Sequence, residues 1–215
     1  MTLRLVLGNK NYSSWSFRPW LAMKVAGIPF EETVLPIYIP GAREKILEFS
    51  PSGKVPILID GAVHVWESLA IIEYAAEKFP GAGLWPLQRE VRAHARAVAN
   101  EMHGGFLPLR RACPMNMRRE PGAIELSADV LANAARIDEI WTDCRARYRG
   151  PFLFGAFGAA DAMFAPVVSR LHTYAVAVGP VARAYMDAVM ALPAWAEWQA
   201  AATEERWVLP EFEIA

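Results

Sequence analysis

One stretch, residues 53–74, constrains the fold of this chain more than any other. Its apolar run at residues 55–59 leads into Asp60-Gly61, a pair typical of a tight turn between two strands. Beyond residues 64–66 the apolar spacing becomes that of a helix, which Ser68 would cap or open. The residues with this spacing are Leu69, Ile72, Ala76 and Phe79. The stretch therefore predicts strand, turn, strand and helix in direct succession.

Pro56 is an unusual residue for the first of these strands. Proline donates no hydrogen bond to a neighbouring strand, so it belongs at an edge or at a strand start. A cis Val55-Pro56 bond would account for it and would leave the backbone of Val55 facing a ligand. Glu67-Ser68 would then stand at the positive end of a helix, where a carboxylate binds well. Taken alone, Glu67-Ser68 is better explained by an ordinary helix cap, whereas Val55-Pro56 upstream favours the ligand site.

These motifs resemble the glutathione-binding half of the cytosolic glutathione transferases. The likeness rests on Lys54-Val55-Pro56, on Asp60-Gly61 and on the run from Glu67 to Tyr74, which fall at the family's spacing. The resemblance implies that glutathione is the co-substrate. It implies that Val55 pairs with the cysteinyl backbone, next to Pro56, that Ser68 takes the γ-glutamyl carboxylate, and that Glu67 takes the γ-glutamyl amino group. Lys54 would reach the glycyl carboxylate, although a solvated lysine explains it nearly as well.

The order of elements in the first part of the chain predicts an α/β domain. Residues 3–7 alternate as a strand does, residues 17–26 form a helix with Pro19 in its first turn, and residues 32–35 form a second strand. A short helix at residues 42–49 precedes the central stretch. Together with the resemblance, this order predicts a thioredoxin-like domain over residues 1–80.

The remainder of the chain predicts an all-α helical bundle over residues 87–215, after a linker at residues 81–86 that is rich in glycine and proline. Residues 162–178 are apolar nearly all round, as a central helix is. Further helices are expected to begin at Pro180 and near Trp195, and residues 208–215 form a tail that folds back onto the first domain. Two apolar stripes mark the other long helices: Val91, Ala95, Val98 and Met102, then Val130, Ala134, Ile137, Trp141, Cys144 and Tyr148.

Residues 157–161 occupy the place where the transferases carry a capping box at the start of their buried helix. Gly158 stands where that box has serine or threonine, so only the return bond from Asp161 remains. A glycine cap costs only a few tenths of a kcal/mol (~0.3) relative to serine. We therefore expect Asp161 to be structural rather than catalytic.

The loop before the first helix contains the adjacent serines Ser13 and Ser14 and no thiol, which excludes disulfide exchange by this loop. A hydroxyl at a helix N-terminus can donate a hydrogen bond to a thiolate that the substrate brings. Lowering a thiol pKa by about two units requires about 2.7 kcal/mol. One charge-assisted hydrogen bond of about 1.5–3 kcal/mol and a helix-end contribution of about 0.3–1 kcal/mol would supply it.

The resemblance to serine-type transferases of the zeta and tau classes selects Ser13, five residues before Arg18. Ser14 is the alternative, because the register of a loop is uncertain by a residue. Both serines would otherwise merely cap the helix. Trp15 stands where the zeta isomerases have cysteine, which favours general conjugation over maleylacetoacetate isomerisation.

A pocket for the second substrate is predicted between the two domains. Its candidate residues are Trp15, Met102, Phe106, Arg110 and Met115, although methionines and aromatic residues at such spacing are more often plain core. The four histidines show no metal-ligand spacing, so we expect no metal site.

Composition narrows the class of protein further. A net charge of −1 gives no indication of nucleic acid or of an anionic membrane as a partner, and 54% hydrophobic residues can fill a sizeable core. We expect no secretory signal and no membrane span, since no apolar run approaches about 20 residues. Two distant cysteines, Cys113 and Cys144, indicate a reducing cytoplasm.

The sequence thus predicts a cytoplasmic enzyme, a glutathione S-transferase that joins the glutathione thiolate to small hydrophobic electrophiles, as in detoxification. The resemblance also implies a homodimer. A glutathione-dependent isomerase or peroxidase, and a non-catalytic interaction module with the same fold, are the alternatives.

Overall fold

The structure, a computed structural model, describes residues 2–214. Its first part is an α/β unit whose four strands form one sheet in the order β2-β1-β3-β4. Strands β1 and β2 are parallel, and the β1–β3 and β3–β4 pairs are antiparallel. The elements are β1 (Leu3–Leu7), α1 (Ser14–Val25), β2 (Phe30–Val34), α2 (Ala42–Leu47), β3 (Ile57–Asp60), β4 (Val63–Trp66) and α3 (Ser68–Lys78). This is the predicted order of strands and helices.

The second part is helical, as predicted. At its centre lies α7, in which every residue except His172 is buried, and it packs against α1 and α4. This burial on all sides explains why the sequence of α7 shows no polar face. The elements are α4 (Arg89–Gly104), α5 (Leu107–Ala112), α6 (Ala128–Tyr148), α7 (Ala159–Thr173), α8 (Pro180–Met190) and α9 (Pro193–Glu204). The predicted linker at residues 81–86 stays a prediction.

Several element boundaries differ from those expected, and those at the start of α1 and the end of α7 have a clear physical cause. Helix α1 begins at Ser14, three residues before the expected start, because the Ser13 side chain accepts a hydrogen bond from the Ser16 amide. Pro19 is therefore inside the helix rather than in its first turn. Helix α7 ends at Thr173 rather than at residue 178, because Ala175 has a φ of 49° and the Val176 amide turns back to the Leu171 carbonyl.

The start of α7 explains the glycine in the capping sequence. A Cβ on residue 158 would lie 2.9 Å from the carbonyl oxygen of Leu84, so a serine there would collide with backbone. Asp161 keeps the return bond, accepting the Gly158 amide at 2.9 Å and also the Leu153 amide at 3.0 Å. Both carboxylate oxygens of Asp161 thus bind backbone amides, as expected of a structural residue.

The tail folds back onto the first part of the chain, as predicted, over its described residues up to 214. Leu209 is buried in a small core with Tyr12 and residues of the sheet, and Phe212 packs against that core. The Leu209 amide donates to the Tyr12 hydroxyl at 3.2 Å. Ala215 lies outside the described residues. Cys144 is buried in the main core, as its position on the apolar stripe predicted.

Candidate functional site

A cavity of about 650 Å³ lies between the start of α1, the loop before β3 and helix α5. It receives residues from both parts of the chain and from the tail. Its lining residues are Tyr12, Ser13, Ser14, Trp15, Ile37, Tyr38, Ile39, Ala42, Arg43, Ile46, Ser52, Gly53, Lys54, Val55, Pro56, Glu67, Leu107, Arg110, Arg111, Pro114, Arg170 and Phe212.

The loop before β3 forms one wall of this cavity. The Val55-Pro56 peptide bond is cis, as predicted, and Lys54, Val55 and Pro56 all line the cavity. Gly8, after β1, makes room for this loop, since a Cβ there would lie 3.0 Å from the Val55 side chain. The absence of a side chain at Gly8 thus allows Val55 to approach the end of β1.

The two candidate serines stand at the start of α1 and have different hydrogen bonds. The Ser13 hydroxyl donates to the Ser16 hydroxyl at 2.8 Å and accepts from the Ser16 amide at 3.4 Å. The Ser16 hydroxyl in turn accepts the Gly8 amide at 3.0 Å. Within residues 2–214, no hydrogen bond reaches the Ser14 hydroxyl, although Ser14 lines the cavity. Ser13 therefore caps α1, which is the role that the alternative to a catalytic serine gave it.

The start of α3 contributes Glu67, whose backbone is in an unusual conformation. Its φ is 70°, in the left-handed region that non-glycine residues rarely occupy, and no side chain caps the helix there. Ser68 is the first residue of α3 and is fully buried, and its hydroxyl has no hydrogen-bond partner among residues 2–214. Glu67 lines the cavity, and Ser68, its neighbour in the chain, is not among the lining residues. Backbone strain of this kind concentrates at ligand sites.

Arginines surround Trp15 on the side of the cavity that faces the helical bundle. The guanidinium carbons of Arg18 and Arg110 lie 4.1 and 4.4 Å from its ring centroid. Burial lowers the pKa of Arg18 well below its usual value, and the charges of Arg110 and Arg170 lower it further. Burial also lowers the pKa of Arg110. The pKa of Arg170 is lowered to about 10 by burial and, to a smaller extent, by the charge of Arg110. These shifts indicate a concentration of positive charge that burial makes costly.

His103 completes the surroundings of Trp15. Its ring meets the Trp15 ring edge-on at 5.3 Å, and its Nε2 lies 3.9 Å from a Glu67 carboxylate oxygen. Burial lowers the pKa of His103, and the charge of Arg18 adds to the effect. The lowered pKa favours the neutral form of the imidazole.

The predicted second-substrate set is only partly at the cavity. Trp15 and Arg110 line it. Met102, Phe106 and Met115 instead lie in the main hydrophobic core, with exposed fractions of 0%, 8% and 1%. Helix α4 turns its apolar stripe towards α7, and this packing takes Met102 away from the cavity.

Several lining residues were not identified from the sequence. Arg170 lies on the buried helix α7 and Arg111 on α5, while Tyr38, Arg43, Leu107, Pro114 and Phe212 come from loops, short helices and the tail. Arg170 carried a signal, because it is the one charged residue in the run from Ala162 to Leu171, whose other residues are apolar except Ser169. The others come together only through the tertiary fold.

The described part of the chain contains no helix that is both long and apolar enough to cross a membrane. Among the same residues, no group of three or more histidine, cysteine or acidic side chains is placed to hold a metal ion.

Two family models match the sequence. The one described as "Glutathione S-transferase, N-terminal domain" matches residues 12–78, and the one described as "Glutathione S-transferase, C-terminal domain" matches residues 118–201. The first match contains both candidate serines, the cis proline and the start of α3.

Curated proteins with similar sequences align over parts of their length. A "Probable maleylacetoacetate isomerase" of Caenorhabditis elegans is 38% identical over 45% of this chain and 45% of its own. A "Dichloromethane dehalogenase" of Methylorubrum extorquens is 50% identical over 27% of this chain and 21% of its own. "Glutathione S-transferase 1" of Dianthus caryophyllus is 30% identical over 55% of this chain and 54% of its own. The chain thus spans about half or less of the length of these relatives.

Solved structures share the fold over nearly the whole chain. A glutathione transferase homologue from Burkholderia, with bound glutathione, has a TM-score of 0.69 at 22% identity and covers 94% of this chain and 98% of its own. A diazinon-metabolizing glutathione S-transferase of the silkworm Bombyx mori has a TM-score of 0.74 at 16% identity, with the same coverage of 94% and 98%.

Proposed function

Because this chain belongs to the glutathione S-transferase family, we propose that it is an enzyme that transfers the thiolate of glutathione to a small electrophile bound in the same cavity. The sulfur forms a bond to an electrophilic carbon, and a leaving group such as a halide departs with the electron pair. Positioning both reactants in one cavity supplies much of the rate.

The observation that carries this proposal is the start of α3. An uncapped helix N-terminus offers free amides and a positive end of the helix dipole to an anion. Beside it the buried hydroxyl of Ser68 lacks a partner, which costs free energy until a ligand supplies one. The γ-glutamyl carboxylate of glutathione fits this site, because it would accept hydrogen bonds from the free amides and from the Ser68 hydroxyl. The Glu67 carboxylate at the cavity fits the neighbouring amino group.

The other polar groups of the first wall also fit glutathione. Val55 lies at the cavity just before β3, where its backbone is available to the cysteinyl part of an extended peptide. Lys54 and Arg43 stand near it, and both suit the glycyl carboxylate. A tripeptide with two carboxylates thus finds a cation or a helix end for each.

Thiolate stabilisation is proposed for the hydroxyls at the start of α1. The free hydroxyl of Ser14 favours it as the donor, since Ser13 would first have to give up its hydrogen bond to Ser16. In either case the serine stays protonated and donates to the sulfur, and the N-terminus of α1 adds to the stabilisation of the anion.

Binding of glutathione itself tests the proposal most directly. We expect calorimetry to detect glutathione binding by the wild-type protein and a Kd at least about tenfold weaker for Ser68→Ala, or about 1.4 kcal/mol. Ser127→Ala is the matched control, because Ser127 caps α6 and does not line the cavity. Absence of binding by the folded wild-type protein would favour a non-catalytic interaction module, and an unchanged Kd for Ser68→Ala would remove the α3 site.

Glutathione-dependent isomerisation is the second candidate function. It is favoured by the names of relatives such as the "Maleylacetoacetate isomerase" of Mus musculus, 23% identical over 78% of this chain. Isomerisation returns glutathione unchanged whereas conjugation consumes it, so counting free thiol during turnover distinguishes the two reactions.

Assembly and location are part of the same proposal. We propose a homodimer, which light scattering of the purified protein would test. We also propose that the protein acts in the cytoplasm, in detoxification. The cytoplasmic location is supported by the two cysteines, which are buried and unpaired.

A further inference from the structure

One wall of the cavity is formed by the helical bundle, and it carries positive charges that are not required to bind glutathione. Arg43 and Lys54 are on the wall that the proposed function assigns to glutathione, while Arg110 and Arg111 on α5 and Arg170 on α7 are on the other. The lining contains one acidic residue, Glu67. The second wall therefore presents three cations that the proposed reaction leaves unassigned.

Arg110 and Arg170 have N–H donors that make no hydrogen bond within the described residues. Arg170 is nearly fully buried, and among the described residues only its Nη1 is bonded, to the carbonyl oxygens of Arg110 and Cys113 at 2.9 and 2.7 Å. In the same part of the chain only the Nη1 of Arg110 is bonded, to the carbonyl oxygens of His103 and Gly105 at 3.3 and 3.4 Å. Within residues 2–214 no carboxylate oxygen lies within 4.0 Å of a nitrogen of either side chain.

Arg18, which does not line the cavity, adds a second buried charge to that of Arg170, while Arg110 is only half-buried. Arg18 is 1% exposed, and its Nε and Nη1 have no hydrogen-bond partner among residues 2–214. Its planar group lies over Trp15, the ring that Arg110 also contacts. A cation–π contact offsets only part of the cost of desolvating a guanidinium, and an anion in the cavity would offset far more.

We propose that the second substrate is itself an anion, an apolar or aromatic electrophile bearing a carboxylate or an equivalent group that Arg110 and Arg170 hold beside Trp15. This rests on the proposed function, whose glutathione site occupies the other wall. Leu107 and Pro114 line the cavity near these arginines and suit the apolar part of such a molecule. Paired donors from two guanidinium groups match the geometry of a carboxylate.

A matched pair of probes tests this proposal, a chloro-dinitrobenzoate and the chloro-dinitrobenzamide with the same ring substitution. In each case glutathione displaces chloride. Dividing each kcat/KM by the uncatalysed rate with glutathione removes the difference in intrinsic reactivity. We expect the wild-type protein to favour the benzoate at least about tenfold, which is about 1.4 kcal/mol.

Variants then locate the origin of this preference. Arg110→Gln should abolish most of it and Arg110→Lys should retain part, while circular dichroism verifies the fold. Arg89→Gln is the matched control, because Arg89 is an exposed residue at the start of α4 and does not line the cavity. Equal normalised rates for the two probes in the wild-type protein would overturn the proposal. So would an unchanged preference in Arg110→Gln accompanied by a raised KM for glutathione, since the arginines would then belong to the glutathione site.

The proposal can also fail or survive independently of the proposed function. Calorimetry with each probe in the absence of glutathione measures anion recognition alone. If the protein converts neither probe but binds the benzoate at least about tenfold more tightly than the benzamide, the proposed transfer reaction fails and the anion site stands. If the two probes bind equally or not detectably, and if their normalised rates of turnover are also equal, the protein is a transferase without an anion site.

Discussion

The Ser13 hydroxyl donates a hydrogen bond to the Ser16 hydroxyl across 2.8 Å. Because Ser16 also accepts the Gly8 amide, these two serines connect the start of α1 to the end of β1. Ser13 has one hydroxyl proton, and this bond uses it. The adjacent Ser14 hydroxyl stands at the cavity without such a bond in the described structure. The two neighbouring serines are therefore expected to have separable roles.

Ser14→Ala should raise the pKa of enzyme-bound glutathione thiol by about 1–2 units, because a charge-assisted hydrogen bond contributes about 1.5–3 kcal/mol. The thiolate absorbs in the ultraviolet, so titrating the bound complex measures this pKa directly. Activity at pH 6.5 should fall by about 10–100-fold for the same reason.

Ser13→Ala is the comparison for that variant. It should lower the free energy of unfolding by about 1 kcal/mol, as loss of a helix cap does, and change the thiol pKa less. A larger thiol pKa change in Ser13→Ala than in Ser14→Ala would assign the thiolate to Ser13 instead.

Glu205 holds the loop that precedes these serines. Its carboxylate accepts the backbone amides of Lys10 and Asn11 at 2.5 and 3.0 Å, and partial burial raises its pKa against the opposing effect of these bonds. Glu205→Ala leaves two amides unpaired and should lower the free energy of unfolding by about 2–3 kcal/mol. Thermal denaturation, with Glu205→Gln expected to recover part of the loss, measures this.

The neighbouring variant Glu204→Ala controls for loss of an acidic residue at the end of α9, since Glu204 is exposed and its side chain makes no hydrogen bond within residues 2–214. Equal stability of the two alanine variants would show that Glu205 does not anchor the loop.

Tyr12 connects the tail to the cavity. Its hydroxyl donates to Glu213 at 2.5 Å and accepts from Arg118 at 2.8 Å and from the Leu209 amide at 3.2 Å. Tyr12→Phe should therefore loosen residues 207–214, and hydrogen exchange of their amides should quicken by about tenfold or more, which corresponds to about 1.4 kcal/mol of lost protection. Tyr38→Phe is the matched control, because Tyr38 is 67% exposed. Equal exchange in both variants would contradict the role of Tyr12.

Sequence reasoning identified the fold because its strongest signals are local. The hairpin residues Asp60-Gly61 and the apolar stripes depend on neighbouring residues, and the structure has the strands and helices that they predict. The cis bond before Pro56 was predictable for the same reason, since a proline at a strand entrance restricts the backbone.

The second wall of the cavity was not predictable in this way. Met102 was placed there by its spacing. A single apolar stripe does not show which element covers it, and in the structure α7 covers the stripe of α4. Arg170 was missed because its role depends on α7 passing behind α5, a tertiary relationship. The first helix was expected to start at residue 17 because residues 9–16 are polar and turn-like, whereas the cap at Ser13 determines the start.

Asp161 should make stability depend on pH. Burial raises its pKa to about 6, against the opposing hydrogen bonds from the Leu153 and Gly158 amides. A carboxyl whose pKa is raised on folding stabilises the native state when protonated. Its contribution is present below the unfolded pKa, about 4, and is lost as the pH rises through the folded value of about 6. The loss over this window amounts to about 3 kcal/mol.

Asp161→Asn removes this titration. Its unfolding free energy should be lower than that of the wild-type protein at pH 4, because an amide oxygen accepts only one of the two backbone amides well. Between pH 4 and pH 6 the gap between the two proteins should narrow by about 2 kcal/mol, since only the wild-type protein loses the contribution of a protonated Asp161. Urea unfolding at several pH values measures the gap. A gap that stays constant or widens towards pH 6 would mean that Asp161 remains ionised in the folded protein, its two backbone hydrogen bonds outweighing its burial.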